Sequence, residues 1–227
     1  MNVGVMRISD ACRSFCNDVI PPFSKFFDKI CFLNDNVTDP IVLKAMSDCP
    51  NVVANKILGY QWDHGRSFED AFYLGKLHGG DWIGIVDHDD ILPYKQLASE
   101  IAIAESREAH VMTFLFLHCY GDINTAVHMS QNEMGEHGKM FRKEIEPFKK
   151  DQFCLPQGYH ATPKVYYSRY MMRHLMNMTQ DILEHRKRNG LHIANWVKNP
   201  ILVPFNEDLN ITEWIHMPLP PKHPTEH

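Results

Sequence analysis

"DWIGIVDHDDILP", residues 81–93, decides the fold. An apolar run of strand length drives into Asp87, Asp89 and Asp90. Crowding acids at one strand end costs repulsion and desolvation, so a cation is expected among them. The flanks are helical in pattern. Upstream, "YQWDHGRSFEDAFYLGKLHGG" (60–80) carries Phe68, Ala71, Phe72 and Leu74 at helical spacing, with Ser67 as the predicted cap and Asp70 three residues on, close to a capping box. Downstream, Pro93 signals the start of a helix in "LPYKQLASEIAIAESREA" (92–109).

The alternation extends outward. "VGVMRI" (3–8), "KICFLND" (29–35), "NVVANKI" (51–57) and the wholly apolar "VMTFLFLHCY" (111–120) read as strands. Between the first two, Val19, Ile20, Phe23, Phe26 and Phe27 surround Pro21 and Pro22, which predicts a helix that is broken or in two parts. "NVTD" (36–39) forms a turn, with Asp39 or Thr38 capping a helix that begins near Pro40. Strands alternating with helices give an α/β class: a three-layer α/β/α sandwich with a mostly parallel central sheet. Ligands of such sheets bind beyond the carboxyl ends of the strands, which here are marked by Asp10, Asp35 and Asp87.

The rhythm is lost over 121–160, a polar, Gly-containing and Met-dotted segment that reads as a strand-and-loop insertion or a covering segment. Residues 164–190 read as a strand-to-helix region ending at Gly190, and the tail over 216–227 is Pro-rich. The chain of 227 residues, 44% apolar and 22% charged, is of a size for one domain over 1–215. It has no apolar run long enough for a membrane span and no secretory signal pattern, so a cytoplasmic location is expected. The six cysteines show no CxxC pair and read as reduced, buried thiols. A net charge of −5 supplies no global positive field, which makes nucleic acid the less expected partner. Fourteen histidines without HExxH or another tight pair do not by their number define a metal site.

Asp87-His88-Asp89 is a DxD element. Carboxylate oxygens suit Mg2+ or Mn2+, which fill their remaining positions with water and phosphate oxygens, although a bare DxD serves equally as a helix cap. Taken with its surroundings, the element resembles the glycosyltransferase family 2 group, whose members have the glycosyltransferase-A fold. "CFLNDNVTD" is similar to that group's D-D-x-S-T-D turn, with Asn34 departing from the first acidic position and Asp35, Thr38 and Asp39 matching. "WDHGRSFEDAF" followed by "GGDWIGIVDHDDILP" matches in spacing and flanks. The resemblance covers about residues 1–118 well and the remainder loosely.

The resemblance implies a metal-dependent transferase that moves a sugar from a nucleotide-diphosphate donor, a UDP-sugar by preference, to a hydroxyl acceptor of unknown identity. It divides the domain into a nucleotide-sugar-binding half (1–118) and an acceptor-side half (119–215). Asp10, Asp35, Arg66 and Asp87 would contact the nucleotide sugar, Asp87 and Asp89 would hold Mn2+ or Mg2+, and Asp90 would orient Asp89 or the acceptor. His160 is the first candidate for a third metal ligand and His174 the second, the latter in an apolar helical neighbourhood of Met171, Leu175 and Met178. Lys164 and Arg169 either neutralise phosphate or are solvated surface. An inverting reaction, the favoured one, needs a carboxylate base, for which Glu133, Glu136, Glu144 and the pair Glu207 and Asp208 are candidates. Retaining chemistry would need none, so the stereochemistry stays open. Two rivals are a nucleotidyltransferase, for which "RISDACRS" lacks the glycine-rich phosphate loop, and a catalytically silent module that binds through the cleft or the tail.

Overall fold

The computed structural model describes residues 1–61, 63–128, 134–145, 163–175 and 201–218, and the backbone alone at 149–150 and 156–157. The chain opens with β1 (Asn2–Ile8), a short 3-10 turn (Asp10–Cys12), α1 (Cys16–Phe26), β2 (Lys29–Asn34), α2 (Pro40–Ser47) and β3 (Val52–Ile57). Then follow α3 (His64–Leu77), β4 (Trp82–Asp87), the two-residue β5 (Asp90–Ile91), α4 (Tyr94–Ser106) and β6 (Val111–Tyr120). The second half contributes β7 (Asp122–Val127), β8 (Gly135–Arg142), β9 (Lys149–Lys150), β10 (Pro156–Gln157), β11 (Val165–Tyr167), β12 (Met172–His174), β13 (Leu202–Pro204) and α5 (Ile211–Ile215).

The main sheet runs β13-β7-β6-β8-β4-β1-β2-β3. Its β4-β1-β2-β3 portion is parallel, as the strand–helix alternation requires. The sheet as a whole is mixed, which corrects the expectation of a mostly parallel one: β8 wedges between β4 and β6, antiparallel to both, and β7 and β13 extend the sheet antiparallel beyond β6. β8 comes from the segment whose rhythm was lost. Its "GEHGKMFR" carries two glycines and a lysine, so apolar alternation does not announce it. Gly135 is required by packing: a Cβ there would lie 2.1 Å from the ring of Phe116 on β6.

Period-two alternation along β1 sends Val3, Val5 and Arg7 toward α3, and Met6 and Ile8 toward α1 and α2. One core layer joins α1, α2 and α4 to the sheet through Val19, Phe23, Val42 and Leu97, and the opposite layer joins α3 through Phe68, Ala71 and Phe72. A third cluster packs Trp214 of α5 against Leu117 and Val203.

Three local expectations are revised. α1 runs unbroken through Pro21 and Pro22, because buried Val19, Ile20 and Phe23 on either side hold the helix against the sheet despite the lost backbone donors. α3 begins at His64, capped by Asp63, whose carboxylate accepts the Arg66 N–H at 2.7 Å; Ser67 lies inside the helix, fully buried. His174 belongs to β12 rather than to a helix, because pairing with β5 and β6 fixes it in an extended strand. Asp39 caps α2 through Ile41 N–H at 2.8 Å. Among the described residues no helix is long and apolar enough to cross a membrane, and Cys12, Cys16, Cys31, Cys49 and Cys119 are free thiols.

Candidate active site

The carboxyl ends of β1, β2 and β4 open on one cavity of about 490 Å3, into which Asp35, Asp87, Asp89 and Asp90 project from the floor. The expected cation is there, and the chain itself supplies it twice. Arg7 and Asp87 are register partners on adjacent parallel strands, so their side chains leave the same sheet face and form an ion pair through Arg7 Nη2 and Asp87 Oδ1. The Arg7 guanidinium is fully buried, lies 5.0 Å from the Phe68 ring centroid, and donates to the Ser67 hydroxyl at 2.9 Å and the His64 carbonyl at 3.1 Å.

The second cation is Lys139 of β8, also fully buried, whose Nζ donates to Asp87 Oδ2 at 2.8 Å and pairs with Asp90 Oδ2 at 2.6 Å. The other oxygen of Asp90 lies 2.7 Å from His174 Nδ1, brought there by the antiparallel register of β5 with β12. A continuous series of alternating charges thus runs Arg7, Asp87, Lys139, Asp90, His174. Burial penalises the charged form of Asp87, but Arg7 and Lys139 together overcome it and hold the carboxyl well below the usual range. Asp90 is lowered in the same way, burial being outweighed by Lys139 and His174. For His174 burial lowers the pKa, yet Asp89 and Asp90 win and raise it above the ordinary value.

Asp89 is the exception in this company. Among the described residues its carboxylate accepts no hydrogen bond, and its one ion pair is with His174 Nδ1 at 4.0 Å. Asp89, Asp90 and His174 each offer a ligand atom, all within 4.8 Å of one another. Two carboxylates and an imidazole are a donor set that suits Mn2+ better than Mg2+, whose preferred ligands are all oxygen, with water and phosphate oxygens in the remaining positions.

The other sequence-predicted residues fall in several places. Asp35, following β2, lines the same cavity. Asp10 does not line it; its carboxylate clamps the loop before α2, accepting from Thr38 N–H at 3.0 Å, Thr38 Oγ1 at 2.9 Å and Asp39 N–H at 2.9 Å. Arg66 is exposed on the first turn of α3 and stacks 3.9 Å over the Tyr60 ring. Glu207 and Asp208 line a separate cavity of about 340 Å3 with Arg173 and Phe205, where Asp208 pairs with Lys95 and Glu207 lies 4.0 Å from Arg173. Glu144 pairs with Arg142 at 3.3 Å, and Glu136 lies on β8 opposite Leu115. His160 and Glu133 lie outside the described residues.

Arg169 is tied to buried Glu100 on α4, which accepts from its Nε at 2.9 Å, from its backbone N–H at 2.9 Å and from Tyr166 OH at 2.8 Å. This knot anchors the turn between β11 and β12 and so places His174. Lys164 pairs with Glu108.

Sequence reasoning passed over Arg7, Lys139, His118 and His137. Arg7 had a signal, being a charge inside an otherwise apolar strand. Lys139 had none, since nothing local ties "GKMF" to a strand end 52 positions earlier.

No protein-family model matches the chain, and no curated protein matches it. Among solved structures it is similar to S. aureus TarS 1-349, at 13% identity and a TM-score of 0.44 over 63% of this chain and 47% of that one. It is also similar to TarS 1-349 in complex with UDP-GlcNAc, at 15% identity and a TM-score of 0.38, over 53% and 34% of the two chains. HddC from Yersinia pseudotuberculosis is similar at 13% identity and a TM-score of 0.47, over 83% of this chain and 100% of that one. The chain therefore spans about half the length of the TarS 1-349 structure it matches. Similarity this distant leaves the chemistry of the cavity to its own residues.

Proposed function

We propose that the chain is a glycosyltransferase that uses a divalent cation and a nucleotide-diphosphate sugar. One observation carries the proposal: Asp89, Asp90 and His174 converge in the cavity that Asp35 also lines, at the carboxyl edge of parallel strands. Arg7 and Lys139 already neutralise Asp87, so in this reading Asp87 is a strut that fixes the Asp87–Asp90 turn, and Asp89 is the carboxylate left for a ligand. Asp89, Asp90 and His174 would hold Mn2+ or Mg2+, which when bound would spread the negative charge of a departing diphosphate.

The remaining roles belong to the chain itself. In this proposal Asp35, which lines the cavity after β2, accepts hydrogen bonds from a base or ribose. Asp90, paired with Lys139 and His174, would orient His174 and the neighbouring Asp89 toward the ligand. Glu207 and Asp208, engaged with Arg173 and Lys95 at the other cavity, take no proton from the acceptor in this proposal.

The test is a panel of UDP-, GDP- and dTDP-sugars, scored for Mn2+-dependent thermal stabilisation and slow donor hydrolysis. One nucleotide should stabilise the protein only with Mn2+, and Asp89→Ala should abolish that response while keeping the native circular dichroism spectrum. A panel with no response, or an Asp89→Ala protein that responds like the parent, overturns the proposal.

A further inference from the structure

The floor of the cavity is acidic, and beside it the cavity is lined by rings. Phe116 and His118 project from the same face of β6, His137 from β8 and His174 from β12. Phe116 is the hub: its ring centroid lies 5.2 Å from that of His118, 5.0 Å from His137 and 5.3 Å from His174. The bare backbone of Gly135 makes room for that ring, since any side chain there would strike it. Among the described residues, His174 is the one ring of this wall in the candidate cation cluster.

Its geometry discriminates between ligands. The imidazoles meet Phe116 at 84°, 51° and 56°, so the rings form a concave corner and not the parallel slot that a flat nucleobase would fill. Burial, followed by the nearby charge of Lys139, lowers the His137 pKa to about 4, so this ring is neutral near pH 7. A neutral imidazole presents one donor and one acceptor nitrogen, and among the described residues no hydrogen bond is made to His137. Angled ring faces bordered by a donor and an acceptor suit a ligand with C–H patches on its faces and hydroxyls around its edge. The neutral His137 ring offers no charge to a phosphate or a peptide carboxylate.

We propose that Phe116, His118 and His137 form a platform for a pyranose ring, so that the cavity recognises a carbohydrate in its own right. This rests on the nucleotide-sugar reading above for its setting. The pyranose could be the sugar of the donor or that of a glycan acceptor, and the two share this chemistry.

The test is calorimetric titration of the full chain and of Phe116→Leu and His137→Gln with UDP, UDP-glucose, UDP-N-acetylglucosamine, and methyl glycosides of glucose and N-acetylglucosamine, all with Mn2+. Phe116→Leu keeps apolar bulk, and His137→Gln is a second probe should the first disturb the fold. If the donor sugar packs here, one UDP-sugar binds about tenfold more tightly than UDP, and either variant narrows that ratio to about twofold without changing UDP affinity. If an acceptor sugar packs here, a methyl glycoside binds the parent and loses at least about fivefold in the variants. Either result supports the platform. Sugar binding that is unchanged in both variants, or no sugar dependence in any ligand, overturns it. Failure of UDP itself to bind would count against the nucleotide reading, while the methyl glycosides would still judge the platform.

Discussion

Replacing Lys139 by methionine tests whether the acidic strand end is held together by the chain's own cations. Methionine keeps most of the buried volume and removes a charge that contacts Asp87 at 2.8 Å and Asp90 at 2.6 Å, so the main effect is electrostatic. Removing one partner of a buried ion pair costs about 3–5 kcal/mol, because the remaining charge is left uncompensated. Here Asp87 keeps Arg7 on its other oxygen and Asp90 keeps His174, which places the loss near the lower end, about 3 kcal/mol. Against a total stability of about 5–15 kcal/mol this is a large fraction. With a urea dependence of about 2–3 kcal/mol per M, the unfolding midpoint followed by circular dichroism should fall by about 1–1.5 M. Adding Asp90→Asn to Lys139→Met should then cost less than Asp90→Asn alone, with a coupling of about 1–3 kcal/mol. A midpoint shift under about 0.3 M, or two substitutions that simply add, would refute the idea that Lys139 neutralises this site.

Gly135→Ala forces a Cβ into the Phe116 ring, and should lower stability by about 1–3 kcal/mol and perturb the near-ultraviolet circular dichroism of the ring wall; an unchanged melting temperature would contradict the packing described. Two histidines of the cavity should titrate stability in opposite senses. His137 has a folded pKa near 4, below its ordinary 6.5, so as pH falls from 6.5 toward 4 the unfolded chain binds a proton that the folded one refuses, and stability declines. His174 is raised, so its contribution is complete below 6.5 and is lost as pH rises through its folded value. Urea midpoints measured across pH should therefore lose acid-side slope in His137→Gln and alkaline-side slope in His174→Gln. The same change in both variants would contradict these assignments.

What the sequence determined by itself was local. A strand of alternating burial shows its period within a few residues, and strand–helix alternation implies parallel crossover connections, so β1 to β4 and the convergence of Asp35 and Asp87 at their carboxyl edge were legible in 81–93 and its flanks. That carboxylates crowded there require positive charge was also legible, since repulsion and desolvation do not depend on where the relief comes from. Only the tertiary structure decided which groups provide it. Arg7 acquires its role through a strand register, Lys139 through an antiparallel insertion 52 positions from Asp87, and His174 through a pairing 84 positions from Asp90. Register and strand order are set by long-range packing. That is why β8, whose glycine answers to a ring on another strand, left no periodic trace, and why the sheet proved mixed where local pattern implied parallel.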